Sequence, residues 1–285
     1  IFMKKNSLSE ISILMCIYKN DNPKYLVKAL ESLKKQSIFF NELIIVQDGN
    51  STIELENIIK KFKKLIKIKH ISLDKNVGFP SALNIGLSQA NTKWIARFDS
   101  DDICDINRFK NITQIIKNHS KDIDVFGTYM KEFETSIDDH NKVRFVPLNQ
   151  KDIQKRMILS NPMNHISVVF KKDLINKYCH SKNEFYPLIP GFEDYALWIK
   201  LLKNGVRFRN FPIVTVYARV GKDMLKRRGG FRYIINEIRF RKFSSKYFNI
   251  FENLIIIIIS TLRIFIFLLP ISFKKKLYKI KRLFL

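Results

Sequence analysis

The stretch WIARFDSDD, residues 94–102, decides the fold of this chain. It begins as an apolar, β-rich run that is typical of a buried strand, Trp94–Phe98. It ends in Asp99-Ser100-Asp101-Asp102, so three carboxylates follow the strand directly. Because open parallel sheets bind ligands beyond the carboxyl ends of their strands, we expect this acidic cluster to line a binding crevice.

Upstream of this stretch, apolar β-rich runs alternate with amphipathic helical patterns. Continuous apolar runs are typical of strands that are covered on both faces. The alternation predicts right-handed βαβ units and an α/β fold with a mostly parallel sheet, in which Asp48 at the second strand end lines the same crevice as Asp99. The predicted strands are 11–17, 43–47 and 66–71, and the helical patterns begin at Asn22, Leu55 and Phe79.

Beyond residue 102 the pattern is less regular. The predicted helices are 106–116 and 191–203, and the predicted strands are 123–133, 166–170 and 213–217. No Pro-, Gly- or Ser-rich linker is visible, so residues 1–218 are predicted to form one domain. Residues 219–285 are predicted to form a separate, basic and helical C-terminal region.

The composition bounds the class of protein. Apolar residues make up 46% of the chain, which is enough for a packed core, and three scattered cysteines are too few for a disulfide framework or a zinc cluster. The formal net charge is +25. Residues 219–285 carry 17 basic and three acidic side chains, which indicates a polyanionic partner, either nucleic acid or an anionic membrane surface.

The C-terminal region favours the membrane surface, and we expect no nucleic-acid partner, because the charge adjoins an apolar run at Leu254–Pro270. This run is shorter than the ~20 residues of a usual span and holds Arg263 near its middle. Six of the nine residues 274–282 are basic. We predict a helix in the cytoplasmic leaflet, with Arg263 at headgroup depth. A tilted or re-entrant span and a buried core helix are the alternatives.

The acidic cluster has two interpretations. Asp99 and Asp101 alternate along the chain, so both face one point on an extended turn, and carboxylate oxygens suit Mg²⁺ or Mn²⁺. The alternative is that Asp101 or Asp102 caps a helix near residues 103–109.

A second acidic pair, Glu193 and Asp194, stands at the predicted start of the helix 191–203. Acidic residues stabilise the first turn of a helix, which is one explanation. The other is a general base that is aimed into the crevice.

Several weaker signals accompany these two. Gly78 precedes a helix start and allows a close approach of the backbone to a ligand. Arg219, with Arg227 and Arg228 before two glycines, suits either a pyrophosphate clamp or a basic loop at a membrane. His165, in the run NPMNH at 161–165, suits a metal ligand, an acceptor contact or a structural role.

Taken in order, these motifs resemble the family 2 glycosyltransferases of the GT-A fold, over about Ile11 to Gly230. The runs IARFDSDD, NPMNH and ARVG, with RRGG after them, are similar to bacterial enzymes of O-antigen and exopolysaccharide assembly. Such enzymes add a hexose to a lipid-linked acceptor. The runs occupy residues 95–102, 161–165, 218–221 and 227–230.

The resemblance implies a role for individual residues. Residues 11–102 would bind the nucleotide-sugar and 103–218 would serve the acceptor and catalysis. A metal ion, Mn²⁺ or Mg²⁺, would be held by Asp99 and Asp101, with His165 as a late ligand. Asp194 would be the catalytic base, with Glu193 beside it. The donor-binding residues would be Asp48, Lys75, Gly78, Asn84, Arg97, Arg227 and Arg228.

The resemblance also implies a reaction. A UDP-hexose, with glucose or galactose favoured, would react with inversion and give a β-linkage, for example to position 3 of GlcNAc on undecaprenyl pyrophosphate. The enzyme would work at the cytoplasmic face of the bacterial inner membrane. The chain has no Gln-x-x-Arg-Trp motif, so a processive polymerase is not expected. The alternatives are a non-catalytic scaffold that binds sugar nucleotides and a basic nucleic-acid-binding protein.

Overall fold

The structure is a computed structural model that describes residues 10–138, 142–179, 184–220, 230–269 and 273. Strands and helices alternate through the first hundred residues, as predicted. The strands are β1 (Ile11–Ile17), β2 (Glu42–Gln47), β3 (Ile68–Ser72), β4 (Trp94–Arg97), β5 (Ile103–Cys104), β6 (Val125–Phe133), β7 (Lys142–Arg144), β8 (Val169–Lys171) and β9 (Phe208–Arg219). The helices are α1 (Pro23–Lys34), α2 (Ile53–Phe62), α3 (Phe79–Ser88), α4 (Arg108–His119), α5 (Gln150–Leu159), α6 (Asp173–Tyr178), α7 (Glu193–Lys203), α8 (Phe231–Ser245) and α9 (Ile250–Leu268).

All nine strands belong to one sheet, in the order β3-β2-β1-β4-β8-β6-β9-β5, with β7 paired to β6. The four strands β3, β2, β1 and β4 are mutually parallel. Beyond β4 the sheet is mixed, because β8 runs antiparallel to both β4 and β6 whereas β9 runs parallel to β6. The predicted α/β fold with a parallel-rich sheet flanked by helices is confirmed, and its first half supplies the uninterrupted parallel part.

Local sequence explains why the first half forms so regularly. Every residue of β1 is buried, as its continuous apolar run predicts. Helix α1 begins where Asn22 accepts a hydrogen bond from the Lys24 N–H and Pro23 occupies its first turn. Its apolar face packs against one side of the sheet, and helix α3 packs on the other side. Two hydrophobic cores therefore hold the sheet from both faces.

Strand β9 differs most from its prediction, because it covers 208–219 instead of 213–217. Pro212 lies within it, and proline has no N–H to donate to a neighbouring strand. The pairing with β6 shifts register there, from Thr128 opposite Phe211 to Tyr129 opposite Val214. The irregularity accommodates the proline and lets the strand continue.

The C-terminal helices α8 and α9 are separated at Asn249, which forms a capping box with Glu252. The inner face of α9 carries Ser260 and Arg263, and Arg263 donates to the carbonyl oxygen of Leu159 at the end of α5. Its guanidinium also lies 3.6 Å from the fully buried Glu237 of α8. The expectation that Arg263 reaches headgroup depth is therefore wrong, because its partners lie on helices α5 and α8.

The outer face of α9 is apolar and exposed. Among the described residues, no helix has both the length and the hydropathy that a membrane span needs. The basic run 274–282 lies outside the described residues, and the division of the chain at residue 218 stays a prediction. The exposed apolar residues of α9 include Ile250, Phe251, Leu254, Ile255, Ile257, Ile258, Leu262 and Phe265.

Candidate active site

The candidate site lies at the carboxyl edge of the parallel strands. The chain places β2 and β3 on one side of β1 and then crosses to place β4 on the other side. Ligands of open α/β sheets bind at such a reversal of strand order. Asp48 follows β2 and Asp99 follows β4, so both predicted residues stand at this edge.

The Asp48 carboxylate organises the loop before helix α3. It accepts hydrogen bonds from the main-chain N–H groups of Val77, at 2.7 Å, and Gly78, at 3.1 Å. Gly78 has φ +88°, and a Cβ there would meet nothing within 4 Å, so open space lies beside the first turn of α3. Lys75 is exposed in the same loop. The structure thus brings Asp48 to the loop that carries Lys75 and Gly78, and their role in binding the donor stays a prediction.

Asn84 has a different place from the one predicted. It is buried on α3, where its Nδ2 donates to the Tyr186 carbonyl oxygen and its Oδ1 accepts from the Tyr186 N–H. The amide therefore pairs with main chain 102 residues away. We assign Asn84 to holding α3 against the segment around Tyr186, and not to the nucleotide pocket.

Arg97, like Asn84, is paired with other residues of the fold. Its side chain is only 2% exposed and lies over the Phe79 ring. The guanidinium donates to the Leu14 carbonyl oxygen at 3.0 Å and to Asp99 Oδ1 at 2.8 Å. The expectation that Arg97 binds the donor directly is therefore replaced by a role in holding the Asp99 carboxylate.

His165 connects the acidic cluster to helix α7. Its Nε2 lies 3.0 Å from Asp99 Oδ2, and its Nδ1 lies 3.6 Å from Asp194 Oδ2. Burial lowers the pKa of the imidazole, but the hydrogen bond that it donates to Asp99 and the charges of Asp99 and Asp194 outweigh burial and raise that pKa. The structure thus brings together three residues that are 66 and 29 positions apart in the chain.

The two acids at the start of α7 point to different surroundings. Asp194 is partly exposed and accepts from the Tyr195 N–H, at 2.8 Å, and from Asn161 Nδ2, at 2.8 Å. Glu193 is buried, and its carboxylate accepts from the Gly191 N–H at 2.6 Å. Burial, together with the charge of Asp194, raises the pKa of Glu193 to about 7. Asp194 is therefore the acid that stands beside His165.

Asp21 also lies at the candidate site, although it is not among the residues predicted from the sequence. Its carboxylate accepts from Ser100 Oγ at 2.8 Å, in the middle of the acidic cluster. Burial, with smaller contributions from the charges of Asp101 and Asp99, raises the pKa of Asp21 to about 6. An acidic residue shortly after a buried strand was the signal available, since Asp48 and Asp99 were found in that way.

The last member of the cluster, Asp102, is buried and tied to strand β9. It accepts from the main-chain N–H of Arg219 at 2.7 Å, and burial together with the Asp101 charge raises its pKa well above the ordinary value. Helix α4 begins only at Arg108, after Asn107. The alternative in which Asp101 or Asp102 caps a helix near 103–109 is therefore wrong.

The predicted metal ligands do not form a ready three-ligand site. In the ranges that the structure describes, no three His, Cys, Asp or Glu side chains form a group able to hold a metal ion. Asp99 and His165 contact each other, and Asp99 Oδ1 also accepts from Arg97. That Asp99, Asp101 and His165 hold a metal ion stays a prediction.

Arg219 has structural partners in place of a pyrophosphate. Its Nε donates to the Asp101 carbonyl oxygen at 3.0 Å, and its guanidinium lies over the rings of Tyr25, at 3.9 Å, and Phe133, at 4.4 Å. It therefore fixes the backbone of the acidic cluster. Arg227 and Arg228 lie outside the described residues.

Comparison with known proteins identifies the family of this chain. The family model for glycosyl transferase family 2 matches residues 12–178. A relative from Escherichia coli, UDP-Gal:alpha-D-GlcNAc-diphosphoundecaprenol beta-1,3-galactosyltransferase, is 37% identical over 95% of both chains. The amylovoran biosynthesis glycosyltransferase AmsE of Erwinia amylovora is 32% identical, covering 80% of this chain and 83% of its own.

Solved structures agree on the fold. The Staphylococcus aureus TarS fragment in complex with UDP-GlcNAc superimposes with a TM-score of 0.62 at 20% identity, over 83% of this chain and 69% of that one. The sequence-based expectation of a GT-A glycosyltransferase is confirmed. With a family model over more than half its length and relatives aligned along nearly all of it, the chain belongs to glycosyl transferase family 2 and is a glycosyltransferase.

Proposed function

We propose that this glycosyltransferase moves galactose from UDP-galactose to a GlcNAc residue on a lipid diphosphate, with inversion, and forms a β-1,3 bond during the synthesis of a surface polysaccharide. The E. coli relative whose name states this donor, acceptor and linkage aligns along 95% of both chains. UDP-glucose is the second donor that we consider, because the resemblance to bacterial polysaccharide enzymes implies glucose and galactose alike.

The observation that carries the proposal is the position of His165 between Asp99 and Asp194. Asp99 stands at the strand edge that also carries Asp48, where we propose that the nucleotide diphosphate binds. Asp194 stands beyond the imidazole. This arrangement supports Asp194 as the proton acceptor, because only the His165 side chain separates it from the carboxylate cluster that would face the leaving group.

Each group has a defined part in one displacement. The acceptor hydroxyl oxygen attacks the anomeric carbon, the bond from that carbon to the UDP oxygen breaks, and UDP leaves with the bonding electron pair. The hydroxyl proton passes to a carboxylate oxygen of Asp194. Because attack and departure occur on opposite faces, an α-linked donor gives a β-linked product, as in inverting glycoside cleavage where water is the nucleophile.

We propose that the site takes Mn²⁺ or Mg²⁺, for which its residues are suited. Burial, with a smaller contribution from the Asp101 charge, raises the pKa values of Asp21 and Asp102, so ionisation of the clustered carboxyl groups is costly and a bound cation would lower that cost. Asp99 and Asp101 would hold the ion, with His165 adjacent, and phosphate oxygens would complete its shell, since Mg²⁺ commonly keeps one or two carboxylates. When bound, the ion supplies charge neutralisation of the departing diphosphate.

We further propose that the enzyme works at an anionic membrane surface, on the cytoplasmic face of the bacterial inner membrane. The outer face of α9 supports this, because its exposed apolar residues have no described partner in the fold while its inner face carries Ser260 and Arg263. Exposed apolar patches of this size mark interaction surfaces, and a lipid-linked acceptor resides in the membrane.

A panel assay tests the donor and acceptor. Purified full-length protein is incubated with UDP-galactose, UDP-glucose and UDP-GlcNAc, each with a GlcNAc-diphosphate-lipid analogue, and the linkage of the product is determined by NMR. We expect a β-1,3-galactoside and at least tenfold less product from the other donors. Transfer to the lipid analogue from UDP-GlcNAc alone, or an α-linked product, would overturn the proposal.

A further inference from the structure

Asn161 lies in the turn that follows α5, and both ends of its side-chain amide are engaged. Oδ1 accepts from the Met163 N–H at 3.1 Å, and Nδ2 donates to Asp194 Oδ2 at 2.8 Å. Only the amide oxygen can accept from an N–H group, so the contact with Met163 fixes which end of the amide faces Asp194. The NH₂ group is therefore directed at the carboxylate.

The same carboxylate is held at its other oxygen. Asp194 Oδ1 accepts from the N–H of Tyr195 in the first turn of α7. With Oδ1 on the helix and Oδ2 on Asn161, rotation of the carboxylate about its own axis would break at least one hydrogen bond. Each carboxylate oxygen has two lone pairs, so Oδ2 keeps the capacity to accept a proton from a substrate hydroxyl.

The turn that carries Asn161 is itself attached to the sheet. The carbonyl oxygen of Pro162 accepts from Asn210 Nδ2 of β9, and Asn164 Nδ2 donates to the Thr128 carbonyl oxygen of β6 at 2.9 Å. Both Asn164 and Asn210 are buried. Asn161 therefore projects from a turn that two strands hold in place, which is the support that an aligned catalytic group needs.

We infer that Asn161 is a positioning residue that aims the Asp194 carboxylate at the acceptor hydroxyl. The inference rests on the proposed function of Asp194 as the proton acceptor and adds to it the residue that sets its direction. A misplaced catalytic group loses rate in the chemical step, whereas binding of the donor is set elsewhere, around Asp48 and Asp99.

The decisive variant is Asn161→Asp, because it separates the two hydrogen bonds of the side chain. An aspartate oxygen still accepts from the Met163 N–H, so the turn is preserved, but the donor to Asp194 is replaced by a carboxylate. Asn161→Ala removes both contacts. The matched control is Asn149→Ala, which removes an Asn-to-Asp hydrogen bond of similar length, 2.7 Å to Asp152 Oδ2, at the opposite end of α5.

The kcat and KM are measured for galactosyl transfer from UDP-galactose to the GlcNAc-diphosphate-lipid analogue. We expect Asn161→Asp and Asn161→Ala to lower kcat by about 10–100-fold, with the KM for UDP-galactose within about twofold of wild type. Asn149→Ala should keep the wild-type kcat. If Asn161→Ala loses rate and Asn161→Asp does not, the side chain serves only the turn and the inference is overturned.

A double-mutant cycle shows whether Asn161 acts through Asp194. In the Asp194→Asn background, Asn161→Ala should lower kcat by no more than about twofold, because the group that it positions is already lost. A further loss as large as in the wild-type background would overturn the inference. Failure of the wild-type enzyme to turn over any donor in the panel would instead refute the proposed function, so the two failures are distinguishable.

Discussion

A Cβ atom at Gly49 would stand only 2.7 Å from the main-chain nitrogen of Asn76. Gly49 follows Asp48 directly and has φ +83°. The turn after β2 thus lies against the backbone of the loop that leads into α3. The two segments that form the expected nucleotide pocket are in van der Waals contact with no room for a side chain between them.

This contact predicts different costs for two glycine substitutions. Gly49→Ala and Gly78→Ala both place an alanine at positive φ, which costs about 1–3 kcal/mol. Only Gly49→Ala also forces backbone apart, which adds about 1–3 kcal/mol. We expect the larger loss in the free energy of unfolding at Gly49, measured by urea denaturation. Equal losses at both positions would show that the loop shifts freely to admit the methyl group.

The buried Glu193 predicts a pH dependence of stability. Its pKa is raised from 4.5 to about 7 in the fold, so between these values the folded state binds more protons than the unfolded state. Stability from this group is therefore complete below pH ~4.5 and is lost as the pH rises through about 7, by up to about 3 kcal/mol. Glu193→Gln keeps the acceptor for the Gly191 N–H and removes the titration.

The test of this effect is chemical denaturation at pH 5 and pH 8. The drop in unfolding free energy between the two should be smaller in Glu193→Gln than in wild type. Glu54→Gln, an exposed substitution in the first turn of α2, should keep the wild-type drop. An unchanged drop in Glu193→Gln would contradict the predicted protonation of this side chain.

The acidic cluster predicts dependence on a divalent cation. Asp101→Ala should remove most transferase activity and leave the protein folded, since Asp101 is partly exposed at the crevice. Asp99→Ala should also remove activity, but it leaves the buried Arg97 without its carboxylate partner, so Asp101→Ala is the variant that tests the cation. In calorimetry, Mn²⁺ should raise the affinity of the wild-type protein for UDP. It should leave the affinity of Asp101→Ala for UDP unchanged. Full turnover in excess EDTA would refute the cation requirement.

The outer face of α9 predicts binding to lipid. Ile257→Asp together with Ile258→Asp places two charges on side chains that are 60% and 62% exposed. We expect at least tenfold less protein to sediment with vesicles that contain anionic phospholipid, and unchanged transfer to a short, soluble acceptor. The control is Ile53→Asp at 78% exposure on α2. Equal sedimentation of all three proteins would contradict a role for this face.

The sequence predicted the parallel half of the fold because its signals are local. The run 11–17 is apolar throughout, Asn22 and Pro23 mark the start of α1, and Asp48 and Asp99 follow strands directly. Each of these patterns depends on neighbours within a few residues. The mixed half of the sheet was less predictable, because β9 reaches Arg219 only through the irregularity around Pro212.

Contacts between distant segments account for the residues that were misplaced or missed. Asn84 and Arg263 are polar residues on helices. The sequence does not show that Asn84 contacts Tyr186 in the fold, or that Arg263 contacts Glu237. Asn161 joins the site through a partner 33 residues away. In the run NPMNH, the sequence points to His165. A role for Asn161, the first residue of that run, depends on the position of Asp194 in the fold.

Because Glu237 is buried, this part of the fold is complete only after both arginines that pair with it have been synthesised. Arg241 emerges from the ribosome one helical turn after Glu237. Arg263 emerges 26 residues after Glu237, which takes about 1–5 s at usual rates of translation. Until then the carboxylate lacks one of its cations and the Leu159 carbonyl oxygen lacks its donor. A chain that stops before residue 263 therefore leaves the body of the enzyme unfinished and exposed to proteases. Release of the enzyme from lipid should accordingly be sought by substitutions on the outer face of α9, which leave Arg263 and its partners in place.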